Sequence, residues 1–270
     1  MNRFLASSFY SHPLRLILLI GAGIICVFAL SACGGEGGKQ EAPKSELAQV
    51  EEFWKQKDLE NANKILKAYV ETHPKDMQAI ILEARILVSQ GRSKDTLATV
   101  ERGLAIDPEN ANLLALKGRA YYYVSRFTEA LKFCRQALKK DPNIALPYLV
   151  IGEIFLRQGK IDDSVTVLKE AIKHDPKMVE ALNKLSSALI KAKNFEAAKG
   201  YLEQALKIDT NDAGVQFNLA LVYEKLNDGP NALKHIDEAL RLYTENEDAP
   251  WKQQARQMRN VILEKFKIKV

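Results

Sequence analysis

The sequence predicts an all-α protein built as a solenoid of helical hairpins, and three observations predict it. Proline recurs at a fixed interval: Pro74, Pro108, Pro142 and Pro176 are each 34 residues apart, an Asp precedes the last three, and Thr210 keeps the phase after Asp209. Small residues recur with the same period, as Ala84, Gly118, Gly152, Ser186 and Ala220, as Ala62, Thr96, Ala130, Ser164, Ala198 and Ala232, and as Tyr69, Gly103, Ala137, Ala171, Ala205 and Ala239 with one Tyr among them. Bulky columns alternate with these: Phe53, Leu87, Tyr121, Phe155, Leu189 and Tyr223, then Leu66, Val100, Cys134, Leu168, Leu202 and Ile236. Helix axes roughly 8 to 10 Å apart leave room for a large side chain only opposite a small one, so this pattern calls for two closely packed helices per period.

The fourth copy carries a recognisable motif. Tyr148, Ile151, Gly152 and Phe155 lie in its first helix, Ser164 and Leu168 in its second, and Pro176 at the closing turn. In period and residue types this resembles the tetratricopeptide repeat. The resemblance covers residues 43–246 as six copies: 43–76, 77–110, 111–144, 145–178, 179–212 and 213–246. It implies a right-handed α-solenoid, with the first helix of each hairpin lining a concave groove and the second facing out. The end copies depart from the pattern, with Gln49 and Val50 in the first and Gly229-Pro230 in the last, as terminal repeats commonly do.

Residues 1–32 have the layout of an export signal. Arg3 and Arg15 charge the start, Leu16 to Leu30 form an apolar run, and no acidic residue occurs before Glu36. Fifteen residues span only about 22 Å as a helix, short of the roughly 30 Å hydrocarbon core, which argues against a membrane-spanning anchor. Leu30-Ser31-Ala32-Cys33 resembles the bacterial lipobox, which implies cleavage before Cys33 and acylation of that residue. Gly34 after the Cys is similar to lipoproteins released to the outer membrane, so the implied location is the outer membrane, facing the periplasm. Residues 33–44 then read as a lipidated Cys and a flexible tether, with four glycines between Gly34 and Lys44.

Inside the repeats Gly91, Ser125, Gly159, Lys193 and Asn227 recur at the turn between the two helices, where left-handed backbone is useful. Pro147 and Pro230 fall in first turns, where a missing N–H costs little. Residues 247–270 lose the phase but keep a helical stripe, Trp251, Ala255, Met258, Ile262 and Phe266, with Asp248 as N-cap. This segment is expected to cap the apolar face of the last repeat.

Composition excludes several functions. The chain has 39 basic and 34 acidic residues. Loss of Arg3 and Arg15 with the signal leaves a net charge of about +3, which gives no support for nucleic-acid binding. The six Lys or Arg against one Glu in residues 251–270 suit the negative end of a helix dipole. Of three cysteines, Cys134 alone follows Cys33, in a bulky core column without a disulfide partner. His73, His174 and His235 fall at three phases of the repeat and form no i, i+4 pair that would suggest a metal site. No HExxH, GxSxG, CxxC or phosphate-binding Gly-Lys loop occurs, so neither catalysis nor a cofactor is expected.

The expected groove stripe on successive first helices is Ile81-Arg85-Val88, Ala115-Arg119-Tyr122, Leu149-Glu153-Leu156, Asn183-Ser187-Ile190 and Phe217-Leu221-Glu224. Ile81, Arg85, Arg119, Tyr122, Leu149, Glu153 and Asn183 are the candidate partner-binding residues. Arg119 and Tyr122 are expected to act as a contact hot spot that is replaceable without harm to folding. The alternative, that Ile81, Leu149, Leu156 and Phe217 are buried between repeats, is not separable by periodicity. No stripe pairs Lys with Asn four residues on, the device of the family's chaperone-binding members. The resemblance therefore implies a lipid-tethered protein–protein interaction scaffold of the bacterial envelope. It binds envelope proteins or peptide segments and assists assembly of a type IV pilus or secretin system. The alternative is an accessory subunit of a peptidoglycan or polysaccharide enzyme.

Overall fold

A computed structural model describes residues 45–243 and 249–268, and all of the regular structure in them is helical. The export signal, Cys33, the tether and the Asp248 cap lie outside these residues. Six helical pairs follow one another: α1 Glu46–Lys55 with α2 Leu59–Thr72, α3 Met77–Ser89 with α4 Ser93–Leu104, α5 Ala111–Tyr123 with α6 Phe127–Lys140, α7 Ala145–Arg157 with α8 Ile161–His174, α9 Val179–Lys191 with α10 Phe195–Ile208, and α11 Ala213–Lys225 with α12 Gly229–Leu242. A last helix, α13, spans Ala249–Phe266.

Local chemistry explains where helices stop and start. Between hairpins, the carboxylates of Asp107, Asp141, Asp175 and Asp209 each accept the backbone N–H two residues on, at 2.8 to 3.2 Å. The turn is thus made by the Asp, and Thr210 substitutes for proline without losing it. Within hairpins, Lys57, Gly91, Ser125, Gly159, Lys193 and Asn227 all have φ between 59° and 75°. Lys57, Ser125, Lys193 and Asn227 carry a side chain in this left-handed region, so these four turns tolerate some backbone strain to reverse direction.

Packing realises the small-against-bulky columns. Ala62, Thr96, Ala130, Ser164, Ala198 and Ala232 are all fully buried. At Gly152 an added Cβ would stand 2.5 Å from Leu168 Cγ, and at Gly118 2.6 Å from Cys134 Sγ. Contacts as close as these leave no space for a larger residue. The polar members of the columns are satisfied locally: Ser164 Oγ donates to the Gly152 carbonyl at 2.8 Å, and Thr96 Oγ1 to the Arg92 carbonyl at 2.9 Å.

Each odd-numbered helix from α1 to α11 touches the next odd-numbered one, whereas among the described residues no two even-numbered helices are in contact. A row in which neighbours touch is the inner row of a curved stack, so α1, α3, α5, α7, α9 and α11 line the concave side. The curvature is strong enough that Lys57 Nζ, in the turn of the first hairpin, comes within 3.7 Å of an Asp209 carboxylate oxygen at the end of the fifth.

The last helix packs on both α11 and α12, the place a further first helix would take. Ala255 and Ile262 are fully buried, with Met258 and Phe266 half-buried beside them. Phe266 lies against Gly229, where a Cβ would come within 2.5 Å of the ring. One expectation is corrected here: Trp251 is 54% exposed and no part of the packed stripe. The buried face of α13 begins one turn later, at Ala255, and helical periodicity does not mark where along a helix its docking surface begins.

Candidate functional site

The inner faces of α1, α3, α5, α7 and α9 enclose a pocket of about 550 Å³. Its apolar wall comes from Trp54, Ile81, Val88, Ala115, Leu116, Leu146 and Met178, and its polar groups include Arg85, Asn112, His174, Asp175 and Glu180. Arg85 is held by its neighbours in the first repeat: its guanidinium lies 4.7 Å from the Trp54 ring centroid and 4.0 Å from Glu51. Its side chain is nevertheless 47% exposed, so most of its hydrogen-bonding capacity faces the open pocket. Trp54 Nε1 donates to Ser89 Oγ at 3.3 Å, which fixes the indole at one end of the pocket.

Arg119 behaves differently. It is 2% exposed and pairs with both Glu153 and Glu180, while its Nη2 donates to the Tyr123 hydroxyl at 2.8 Å. Burial opposes its charge, but the two carboxylates outweigh that and hold the guanidinium above its ordinary pKa. Glu153, itself 3% exposed, receives a second cation, Lys184 Nζ, at 3.0 Å. For Lys184 burial again works against the charge and the Glu153 carboxylate more than offsets it. The result is a charge network joining α5, α7 and α9 behind the pocket wall.

The expected stripe therefore divides. Ile81 and Arg85 line the pocket as half-buried and exposed side chains, and Arg119 forms part of its wall from within the network. Leu149 is wholly enclosed between repeats. Tyr122 is buried and, with Glu153, borders a second, smaller pocket of about 200 Å³ shared with Leu156, Arg157, Lys184 and Lys191. Asn183 belongs to neither pocket and accepts a hydrogen bond from Asn218 Nδ2 at 2.6 Å. Arg119 and Tyr122 are thus buried, partnered side chains and not free contact residues. Burial wins because Arg119 and Glu153 hold the same position in adjacent repeats and stand side by side.

Trp54, Leu146, His174, Asp175 and Met178 line the larger concave pocket without lying on that stripe. Trp54 belongs to the first repeat, and the others sit at hairpin boundaries rather than mid-helix. Repeat phase is the signal that could have found Leu146 and Glu180, which occupy the same phase one repeat apart.

Other reactive groups are structural. Burial pushes the Cys134 thiol up to about 12, which suppresses its thiolate. His235 stacks on Tyr223 and bonds Gln216 Oε1 at 2.7 Å, and burial holds its pKa below the ordinary value. Among the described residues, no three His, Cys, Asp or Glu side chains converge as a metal site would require, and no helix is long and apolar enough to cross a membrane.

This geometry defines a helical-repeat binding protein with a concave recognition face. Tetratricopeptide repeat sequence patterns match residues 53–120, 155–216 and 189–256, and a second pattern of the same description matches 113–146; the chain belongs to the tetratricopeptide repeat family. No curated protein matches it in sequence. Among solved structures, the Cut9–Hcn1 complex of the APC/C superposes with a TM-score of 0.70 at 18% identity, over 82% of this chain and 43% of that one. The present chain thus spans less than half of that relative. The Pseudomonas aeruginosa pilF protein gives 0.56 at 17% identity, over 78% of this chain and 96% of that one. A thermophilic tetratricopeptide repeat protein of Thermus thermophilus gives 0.55 at 21% identity, over 70% and 99%. At these identities the likeness is one of fold.

Proposed function

We propose that this tetratricopeptide repeat scaffold is tethered to a bacterial membrane through lipid on Cys33 and holds a segment of an envelope protein in its concave pocket. The observation that carries the reading is the pocket itself: an apolar wall from four repeats with one exposed, oriented guanidinium, Arg85. Such a surface suits a peptide with hydrophobic anchors and one acidic group, because apolar burial supplies affinity while the ion pair fixes register. Assembly of a type IV pilus or secretin system is the setting we propose, and the fold shared with the pilF protein is compatible with it.

Two measurements test this. Mass spectrometry of membrane-extracted protein should show an N-terminus at Cys33 bearing acyl chains, and Cys33→Ser should release the protein from membranes; recovery of intact residues 1–32 on the mature chain refutes the tether. A photoreactive side chain at position 85 should crosslink one envelope protein, whereas the same group at the outward-facing Lys132 should not. Equal adducts at both positions, or none at 85, refute the pocket.

A further inference from the structure

The last turns of α7, α9 and α11 carry Arg157, Lys191 and Lys225 at the same phase, 34 residues apart. All three are exposed. Arg157 and Lys191 border the smaller pocket on the concave face beside Lys184. Neither makes an ion pair with a carboxylate in the described residues. Arg157 instead donates Nε to the Tyr122 hydroxyl at 2.9 Å with its guanidinium 5.3 Å from the ring centroid. This leaves both terminal nitrogens of a pre-oriented fork available, the arrangement that suits bidentate recognition of a carboxylate. Lys225 shares Glu224 with Lys265, at 3.0 and 2.7 Å, so that carboxylate is already neutralised.

The helix dipole favours a base at these termini but does not account for this arrangement. It accounts neither for the capture of Arg157 by Tyr122 nor for the convergence of Arg157, Lys184 and Lys191 on one pocket whose single carboxylate, Glu153, is already engaged by Arg119 and Lys184. Along this half of the concave face, six cations (Arg119, Arg157, Lys184, Lys191, Lys225, Lys265) meet three carboxylates (Glu153, Glu180, Glu224), an excess of three positive charges.

We infer that Arg157, Lys191 and Lys225 form a ladder that binds an acidic polypeptide segment, one carboxylate per repeat, next to the apolar pocket. The spacing sets the partner's sequence pattern. Adjacent first helices lie roughly 8 to 10 Å apart, and a polyproline II chain advances about 3.1 Å per residue with three residues per turn, so acidic side chains three residues apart share one face and stay in step with the ladder. This deepens the proposed function and rests on it for the apolar half of the partner.

The test uses the full chain in detergent and three dye-labelled peptides, read by fluorescence anisotropy at low and high salt. One carries leucine anchors followed by Glu at every third residue, the second replaces each Glu by Gln, and the third keeps the Glu pattern without the anchors. The first should bind at least tenfold more tightly than the second, and Lys191→Gln/Lys225→Gln should cut that difference at least threefold while circular dichroism stays unchanged. Equal binding of the Glu and Gln peptides, or undiminished binding by the double variant, overturns the ladder and leaves the apolar pocket standing. Equal binding with and without anchors refutes the apolar pocket and leaves the ladder. If dextran sulfate competes no better than the Glu peptide, the polypeptide assignment stands; if it binds far more tightly, the ladder is a polyanion site and the assignment falls.

Discussion

Replacing Arg119 by Met removes the hub of the charge network while keeping most of the side chain's volume. The loss strands Glu153, 3% exposed, with Lys184 at 3.0 Å as its remaining cation. Breaking a buried pair from one side costs about 3–5 kcal/mol, and the surviving Lys184 places this case near about 3 kcal/mol. The double variant Arg119→Met/Glu153→Met should differ sharply, because Glu180 and Lys184 are exposed enough to be solvated on their own and two apolar side chains fill the space. Its stability should lie within about 1 kcal/mol of the parent, a recovery of about 2 kcal/mol from the single variant. Repeat arrays open locally, so the assay is native-state hydrogen exchange of the amides in α5, α7 and α9, not a single melting curve. A double variant as unstable as the single one would refute the network account, as would an Arg119→Met cost below about 1 kcal/mol.

The C-terminal helix supplies the remaining predictions. Ile262→Ala, at a fully buried position, should cost about 2–5 kcal/mol in local stability of α13, whereas Trp251→Ala should stay within about 0.5 kcal/mol; hydrogen exchange of the α13 amides measures both. Gly229→Ala should weaken exchange protection in α13 by displacing Phe266. Acid should loosen the same helix. Burial tends to raise the Glu224 carboxyl, but hydrogen bonds from Lys265 and Lys225 hold it below its ordinary 4.5. The folded state therefore binds this proton less readily than the unfolded chain, so the stabilisation is complete above about pH 4.5 and is lost as pH falls through the folded value. Exchange in α13 should quicken over that range, and Glu224→Gln should abolish this part of the pH dependence.

The fold was legible because packing imposes a local rule that repeats. A column such as Ala62 to Ala232 is small at each of its six positions for one reason, the close approach of a partner helix, and a sequence period exposes it directly. The inner surface obeys no such rule. Arg85 and Arg119 occupy the same phase one repeat apart, yet one is exposed and the other sealed, because Glu153 and Glu180 reach Arg119 from one and two repeats further on. Half of that answer was written in phase, since Glu153 also shares the column. Glu180 does not, and its approach depends on curvature. Curvature likewise brings Trp54 into one pocket with Met178, which lies 124 residues later in the chain.

The approach of Lys57 to Asp209 changes the connectivity of the stack. A linear array of repeats transmits strain only from neighbour to neighbour, and its end units can be lost independently. Here the first and fifth units meet, so these five form a loop with a seam. An exposed ion pair of this kind contributes about 0–1 kcal/mol and is screened by salt, which makes the seam the weakest junction in the loop. An occupant that touches both Trp54 and Glu180 spans that seam and would tie the two ends together. Occupancy at the centre would then be felt as slower fraying of the first hairpin, far along the chain from most of the residues in contact.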